Sequence, residues 1–233
     1  MQIRLLSLIE GAAEATGTAI IIDVYRAFTT AAVAFQQGAD CIILVDDPQK
    51  ALGLKKRGIG DFCMGEIGGV KVSEFDFGNS PYEVSQVDLH GKTLVQSTSA
   101  GTKGAVAARG ADKIFVAGLI NAAATAQAIL KYAPTTVSIV AMGRNGVYRS
   151  DEDEQCALYL RNLLLDCRPD RRAVSSLVLA SHESLKFDDP QKPHFDPRDR
   201  DIALAVDSID LAIRVRIEDG LLVARPELNV HRL

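Results

Sequence analysis

Acidic, basic and hydroxyl side chains recur where short apolar runs end. The run Thr18-Ala19-Ile20-Ile21-Ile22 leads into Asp23-Val24-Tyr25-Arg26, placing an acid beside a guanidinium. Asp23 can hold Mg²⁺, which takes few protein oxygens and completes its shell with waters and phosphate. Arg26 can grip a carboxylate, sulfonate or phosphate with two parallel hydrogen bonds. The same two residues can equally serve as a helix cap and a surface ion pair, and spacing alone does not separate the readings. Ser97-Thr98-Ser99-Ala100-Gly101-Thr102 is the most phosphate-like stretch. Small residues let backbone N–H groups approach an oxyanion, and a helix that follows adds its positive end. Capping explains one hydroxyl there and does not call for Ser97, Thr98, Ser99 and Thr102 together.

Two further pairs, Gly65-Glu66 and Gly143-Arg144, follow apolar runs in the same way. Ser150-Asp151-Glu152-Asp153-Glu154 opens a helix with consecutive acids. Acids in a first turn complement the helix dipole, and Ser150 with Asp153 imitates a capping box. A cation among the carboxylates, or a proton-transfer role for one of them, is the alternative reading. Lys186 to Arg200 mixes charges and prolines and reads as a solvated surface loop, with His182 and His194 as surface or anchoring residues.

The elements that must position these groups alternate along the chain. Strands are expected at 18–24, 41–45, 62–64, 93–96, 113–117 and 135–142, from continuous apolar runs that suit strands buried on both faces. Helices are expected at 27–37, from Pro48, at 101–109, 121–132 and 151–165. This rhythm implies an α/β fold in three layers: a mostly parallel sheet with helices on both faces. Leu211 to Ile217 and Leu221 to Arg225, joined by Glu218-Asp219-Gly220, read as a C-terminal β-hairpin appended to one domain spanning 1–233. In such a sheet ligands collect beyond the carboxyl ends of the strands, where Asp23, Glu66, Ser97 and Arg144 fall.

Composition narrows the classes of function. The chain has 233 residues, 47% hydrophobic and 24% charged, which excludes a disordered or low-complexity protein. Its 26 basic and 30 acidic residues give a net charge of −4, which argues against nucleic acid as a main partner. No apolar run approaches the ~20 residues needed to span a bilayer, and no membrane partner is expected. Glu10 and Glu14 interrupt any secretory leader, so a soluble cytoplasmic protein is expected. Cys41, Cys63, Cys156 and Cys167 form no CxxC pair and read as buried free thiols. The dinucleotide fingerprint, the P-loop and the GxSxG elbow are all missing from the sequence.

The ordered blocks resemble the 2-phosphosulfolactate phosphatase family. Asp23-Val24-Tyr25-Arg26-Ala27-Phe28-Thr29-Thr30 is similar to the family's D-V-L-R-A-T-T-T, and Gly65-Glu66-Ile67-Gly68-Gly69 to its G-E-R-x-G. Phe75-Asp76-Phe77-Gly78-Asn79-Ser80-Pro81 resembles F-D-x-G-N-S-P, the most specific block. Ser97 to Thr102 resembles T-S-A-G-T, and Glu152-Asp153-Glu154-Gln155-Cys156-Ala157 resembles E-D-x-x-C-A. Tyr25, Phe28 and Ile67 depart from these patterns. The resemblance implies Mg²⁺-dependent removal of phosphate from 2-phospho-3-sulfolactate, a step toward coenzyme M. Phosphatase action on another small organic acid phosphate, or anion binding without catalysis, are the rival readings. By this resemblance Asp23, Glu66 and Asp76 are metal candidates, and Asp23, Arg26, Glu152 and Asp153 catalytic ones. Arg26, Thr29, Thr30, Asn79, Ser97, Thr98, Ser99, Gly101, Thr102 and Arg144 are candidates for holding the substrate, a small anionic phosphate ester. A homodimer stays open as the assembly.

Overall fold

Alternating burial along single strands sets the architecture. The computed structural model describes residues 1–228. In chain order the elements begin with β1 (Gln2–Ser7), α1 (Leu8–Ala13), β2 (Thr18–Ile22), α2 (Ala27–Gln36), β3 (Cys41–Val45) and α3 (Pro48–Lys56). There follow β4 (Phe62–Ile67), β5 (Val70–Lys71), α4 (Pro81–Ser85), β6 (Thr93–Ser97), α5 (Gly101–Ala107) and β7 (Lys113–Ala117). The chain continues through α6 (Ala122–Lys131), β8 (Thr136–Ala141), α7 (Asp151–Leu164) and α8 (Arg171–Leu179). It ends with α9 (Pro197–Ala203), β9 (Leu211–Glu218) and β10 (Leu221–Leu228). On β2, Ile21 joins one apolar cluster with α1, α2 and α5, while Ile20 and Ile22 face α6 and α7 on the other side. On β3, Ile42 and Leu44 join that first cluster, whereas Cys41, Ile43 and Val45 pack with Ala51 and Leu54 of α3. Helices on both faces and a mostly parallel sheet are therefore as the patterning implies.

All ten strands fall in the order β1-β8-β2-β7-β9-β10-β3-β6-β4-β5. β1, β8, β2 and β7 run parallel, as do β3, β6 and β4. Between these halves lie β9 and β10, antiparallel to each other and to β7 and β3. The hairpin is thus no appendage but the centre of the sheet. Ala212, Ile213 and Ala224 are fully buried, as central strands covered on both faces require. Gly101 after β6 comes against Asp23 after β2, although four strands separate β2 from β6, so the two halves curve toward each other. That curvature gathers loops from both halves over one mouth.

Three local findings correct the sequence reading. Gln2–Ser7 forms a parallel edge strand against β8 where no strand is expected. Cys167 is exposed, although Cys41, Cys63 and Cys156 are buried as free thiols. The segment from Lys186 to Asp201 is no solvated loop: it ends a 3₁₀ stretch over His182–Asp188 and enters α9, with Phe187 and Asp199 buried. Among the described residues, no helix is long and apolar enough to cross a membrane.

Candidate active site

A cavity of about 400 Å³ opens beyond the carboxyl ends of β2, β4, β6 and β8. Asp23, Glu66, Ser99 and Glu152 line it from the sheet side, and Lys186, Lys192 and Phe195 from the segment that crosses it.

The loop after β2 supplies Asp23. Its Oδ1 accepts from the Ala27 N–H at 3.0 Å, so the carboxylate caps α2 while it faces the cavity. Burial pushes its pKa from 3.8 to about 6; the Ala27 N–H and Lys186 oppose that rise, and Glu66 adds to it. Gly101 is required beside it, because a Cβ there would lie 2.8 Å from Asp23 Oδ2 and 2.8 Å from the Ala27 Cβ.

Glu66, next to last in β4, bridges to the loop after β6. It accepts from the Ser99 N–H at 2.7 Å and the Gly69 N–H at 2.5 Å, and Ser99 Oγ donates to it at 3.0 Å. The neighbouring Gly65, at φ +140°, allows β4 to approach β6, since a Cβ there would strike the Ser97 carbonyl oxygen. Asp76 does not join these carboxylates. It accepts from Lys55 at 2.6 Å and from the Cys63 N–H at 2.7 Å, away from the cavity. Burial would raise its pKa, but Lys55 and the Cys63 N–H hold it below the usual value.

The two acids that open α7 take different places. Glu152 lines the cavity, is 4% exposed, and its Oε2 has no hydrogen-bond partner. Burial lifts it from 4.5 to about 7, against the attraction of Lys186. Asp153 points behind the rim, where Oδ1 accepts from the Val24 N–H and Oδ2 from the Gly143 N–H, both at 2.8 Å. Burial, Glu152 and Asp23 push its pKa well up. Asp153 therefore stitches the β2 and β8 loops together, which differs from both the capping-box and the catalytic expectation.

Most of the expected hydroxyl cradle is committed to the chain itself. Thr98 Oγ1 accepts from the Thr102 N–H at 3.1 Å, and Thr102 Oγ1 accepts from the Thr98 N–H at 2.9 Å. Ser97 is buried at the end of β6, and only Ser99 and Ala100 of this stretch reach the cavity wall. Thr29 and Thr30 donate to the Val24 and Arg26 carbonyls and are fully buried. Asn79 lines the cavity with its Oδ1 unpartnered. Arg144 stands on the rim, half exposed, with its guanidinium 5.0 Å from the Tyr148 ring centroid.

Arg26 reaches the wall with part of its guanidinium committed to the chain itself. Its terminal nitrogens donate to Asp199 Oδ2 at 2.7 Å, to the His194 carbonyl at 2.8 Å and to the Gly69 carbonyl at 3.1 Å. Two further cations that line the cavity, Lys186 and Lys192, come from the crossing segment, which the sequence reading passed over. Lys186 pairs with Glu183 at 3.1 Å and lies 5.4 Å from the Tyr25 ring centroid and 5.1 Å from that of Phe195. Lys192 pairs with Asp189 at 3.2 Å. One available signal was length: an irregular run of this size inside a compact fold is usually functional. Phe187 and Phe195 within it are a second, because a solvated loop has no use for two aromatics. Of the departures from the family pattern, Tyr25 lines the cavity, Phe28 is core, and Ile67 is 63% exposed.

Among the described residues, no three His, Cys, Asp or Glu side chains converge to cage a metal. A hydrated Mg²⁺ asks for less, namely one or two carboxylates with the rest of its shell from water and phosphate. Asp23 and Glu66, two hard donors on one wall, fit that demand.

Comparison with known proteins agrees with the blocks. The family model described as 2-phosphosulpholactate phosphatase matches residues 5–193. A protein of Caldicellulosiruptor saccharolyticus named probable 2-phosphosulfolactate phosphatase is 38% identical over 168 residues, 70% of this chain and 69% of that protein. A Bacillus subtilis protein of the same name is 35% identical over 183 residues, 77% of this chain and 78% of its own.

Proposed function

Because this chain belongs to the 2-phosphosulfolactate phosphatase family, we propose that it is a phosphoric monoester hydrolase acting on 2-phospho-3-sulfolactate. One observation carries the chemistry: a lysine walled by aromatic rings acts on two carboxyls of raised pKa in a single cavity. A substrate with phosphate, sulfonate and carboxylate needs several cationic or N–H contacts and one proton donor. Lys186 and Lys192, with Arg144 at the rim, hold the anionic groups. Asn79 supplies a polar contact at the wall.

Glu152 is the proton donor in this reading. Its pKa of about 7 keeps a large share of the carboxyl protonated at neutral pH, where it can protonate the C2 oxygen as the ester P–O bond breaks and water takes the phosphoryl group. Asp23 and Glu66 would hold Mg²⁺, which would neutralise charge on the phosphoryl oxygens. The Ala27 and Ser99 N–H groups orient these two carboxylates. Phe195 and Tyr25 exclude water from the side of the cavity opposite the sheet, which strengthens each charged contact inside. The product, 3-sulfolactate, suits a place in coenzyme M formation.

The test is phosphate release from phosphosulfolactate, phospholactate and phosphoglycolate, with Mg²⁺ and again with EDTA. Release that EDTA abolishes and Mg²⁺ restores supports the proposal. Tight anion binding with no release from any of the three would favour a non-catalytic binding protein.

A further inference from the structure

Asp199 is fully buried at the start of α9, and the hydrogen-bond partners of its carboxylate lie far away along the chain. Oδ2 takes the Arg26 guanidinium at 2.7 Å, while Oδ1 accepts from Ser80 Oγ at 2.6 Å and the Tyr82 N–H at 3.0 Å. Arg26 also donates to the His194 and Gly69 carbonyls, and its guanidinium carbon lies 4.6 Å from the Phe195 ring centroid. One ion pair thus ties together the loop after β2, the β4–β5 turn, the start of α4 and the strap of residues 182–199.

Stability alone is a poor reason for this arrangement. Desolvating two charges offsets much of their attraction, and well-packed apolar side chains of similar size often do as well. Apolar packing lacks direction, however, whereas a guanidinium with three oxygen acceptors fixes where each acceptor sits. The object being fixed is the strap, since His194 and Phe195 both lie on Arg26 and Phe195 meets Phe187 edge to face at 5.5 Å. Lys186 rests 5.1 Å from the same Phe195 ring.

We infer that Asp199, acting through Arg26, is a positioning residue that holds the strap and its lysines over the substrate anions. This rests on the phosphatase reading, but the residue lies outside the matched family segment, which ends at 193. It predicts a split between binding and turnover. Asp199→Asn should raise KM for phosphosulfolactate by about tenfold or more, while kcat changes by less than about threefold. Hydrogen exchange in the intact chain should quicken at least about tenfold in peptides from 182–199 and stay unchanged in β2 and β8.

If Asp199→Asn fails to fold, Phe195→Ala keeps the ion pair but removes the ring by which the strap packs on it. That variant should raise KM about threefold or more and quicken exchange in the same peptides. Wild-type KM and strap protection in whichever variant folds would overturn the inference. So would a lower melting temperature with KM untouched. Should the wild-type chain release no phosphate at all, the exchange comparison still decides whether Asp199 holds the strap.

Discussion

Glu152→Gln separates the acid's chemical role from the energy of burying it. In the free chain burial moves the carboxyl from 4.5 to about 7. At ~1.36 kcal/mol per pH unit, that displacement places about 3 kcal/mol against folding once the group is ionised. The folded pKa lies above the unfolded one, so the folded state favours the proton. Its support is complete below pH 4.5 and is lost as pH rises through about 7. Glutamine imitates the protonated form at every pH. The variant should therefore match the wild type near pH 4.5 and gain about 3 kcal/mol near pH 8, roughly 6–12 °C in Tm for a chain of this size. Activity moves the other way, with kcat down by about 10²–10⁴ once the proton donor is gone. Thermal unfolding in EDTA at both pH values, beside phosphate release with Mg²⁺, checks the two halves together. Equal Tm gains at both pH values, or an unchanged kcat, would refute the reasoning.

Other substitutions probe the remaining walls. Lys186→Met should raise KM by about ten- to a hundredfold through loss of a charge-assisted contact. Because Lys186 also lowers the Glu152 pKa, the alkaline limb of its kcat profile should move to higher pH, as a pH series would show. Gly101→Ala puts a Cβ 2.8 Å from Asp23 Oδ2 and from a neighbouring Cβ, so kcat/KM should fall at least about tenfold, at about 1–3 kcal/mol of stability by denaturant unfolding. Asp76→Asn breaks a half-exposed pair with Lys55 and should cost less than about 1 kcal/mol, with phosphate release within about twofold of wild type.

Most of the inner strands and several helices were legible because their signals are local. The run Ile20-Ile21-Ile22 suits a strand covered on both faces, and Asp47-Pro48 announces a helix start. The hairpin's central place was not legible, since its partners β7 and β3 are chosen by long-range pairing that its own residues do not encode. The same distinction runs through the site. Asp23, Glu66 and Glu152 stand out as acids at element boundaries, and all three line the cavity. Glu152 and Asp153 are neighbours pointing about 100° apart on a helix, so which of them faces the cavity depends on where α7 docks. The pairing of Arg26 with Asp199 was not legible, because Asp199 lies in a distant stretch that reads as solvent-exposed.

The most direct measurement of the central claim is kcat/KM for phosphosulfolactate against phospholactate, which lacks the sulfonate. With Mg²⁺ present, a cavity whose strap carries Lys186 and Lys192 should favour the sulfonated ester by about tenfold or more, the worth of one charge-assisted contact. No release from phosphosulfolactate above the enzyme-free rate, or a preference for phospholactate, would contradict it.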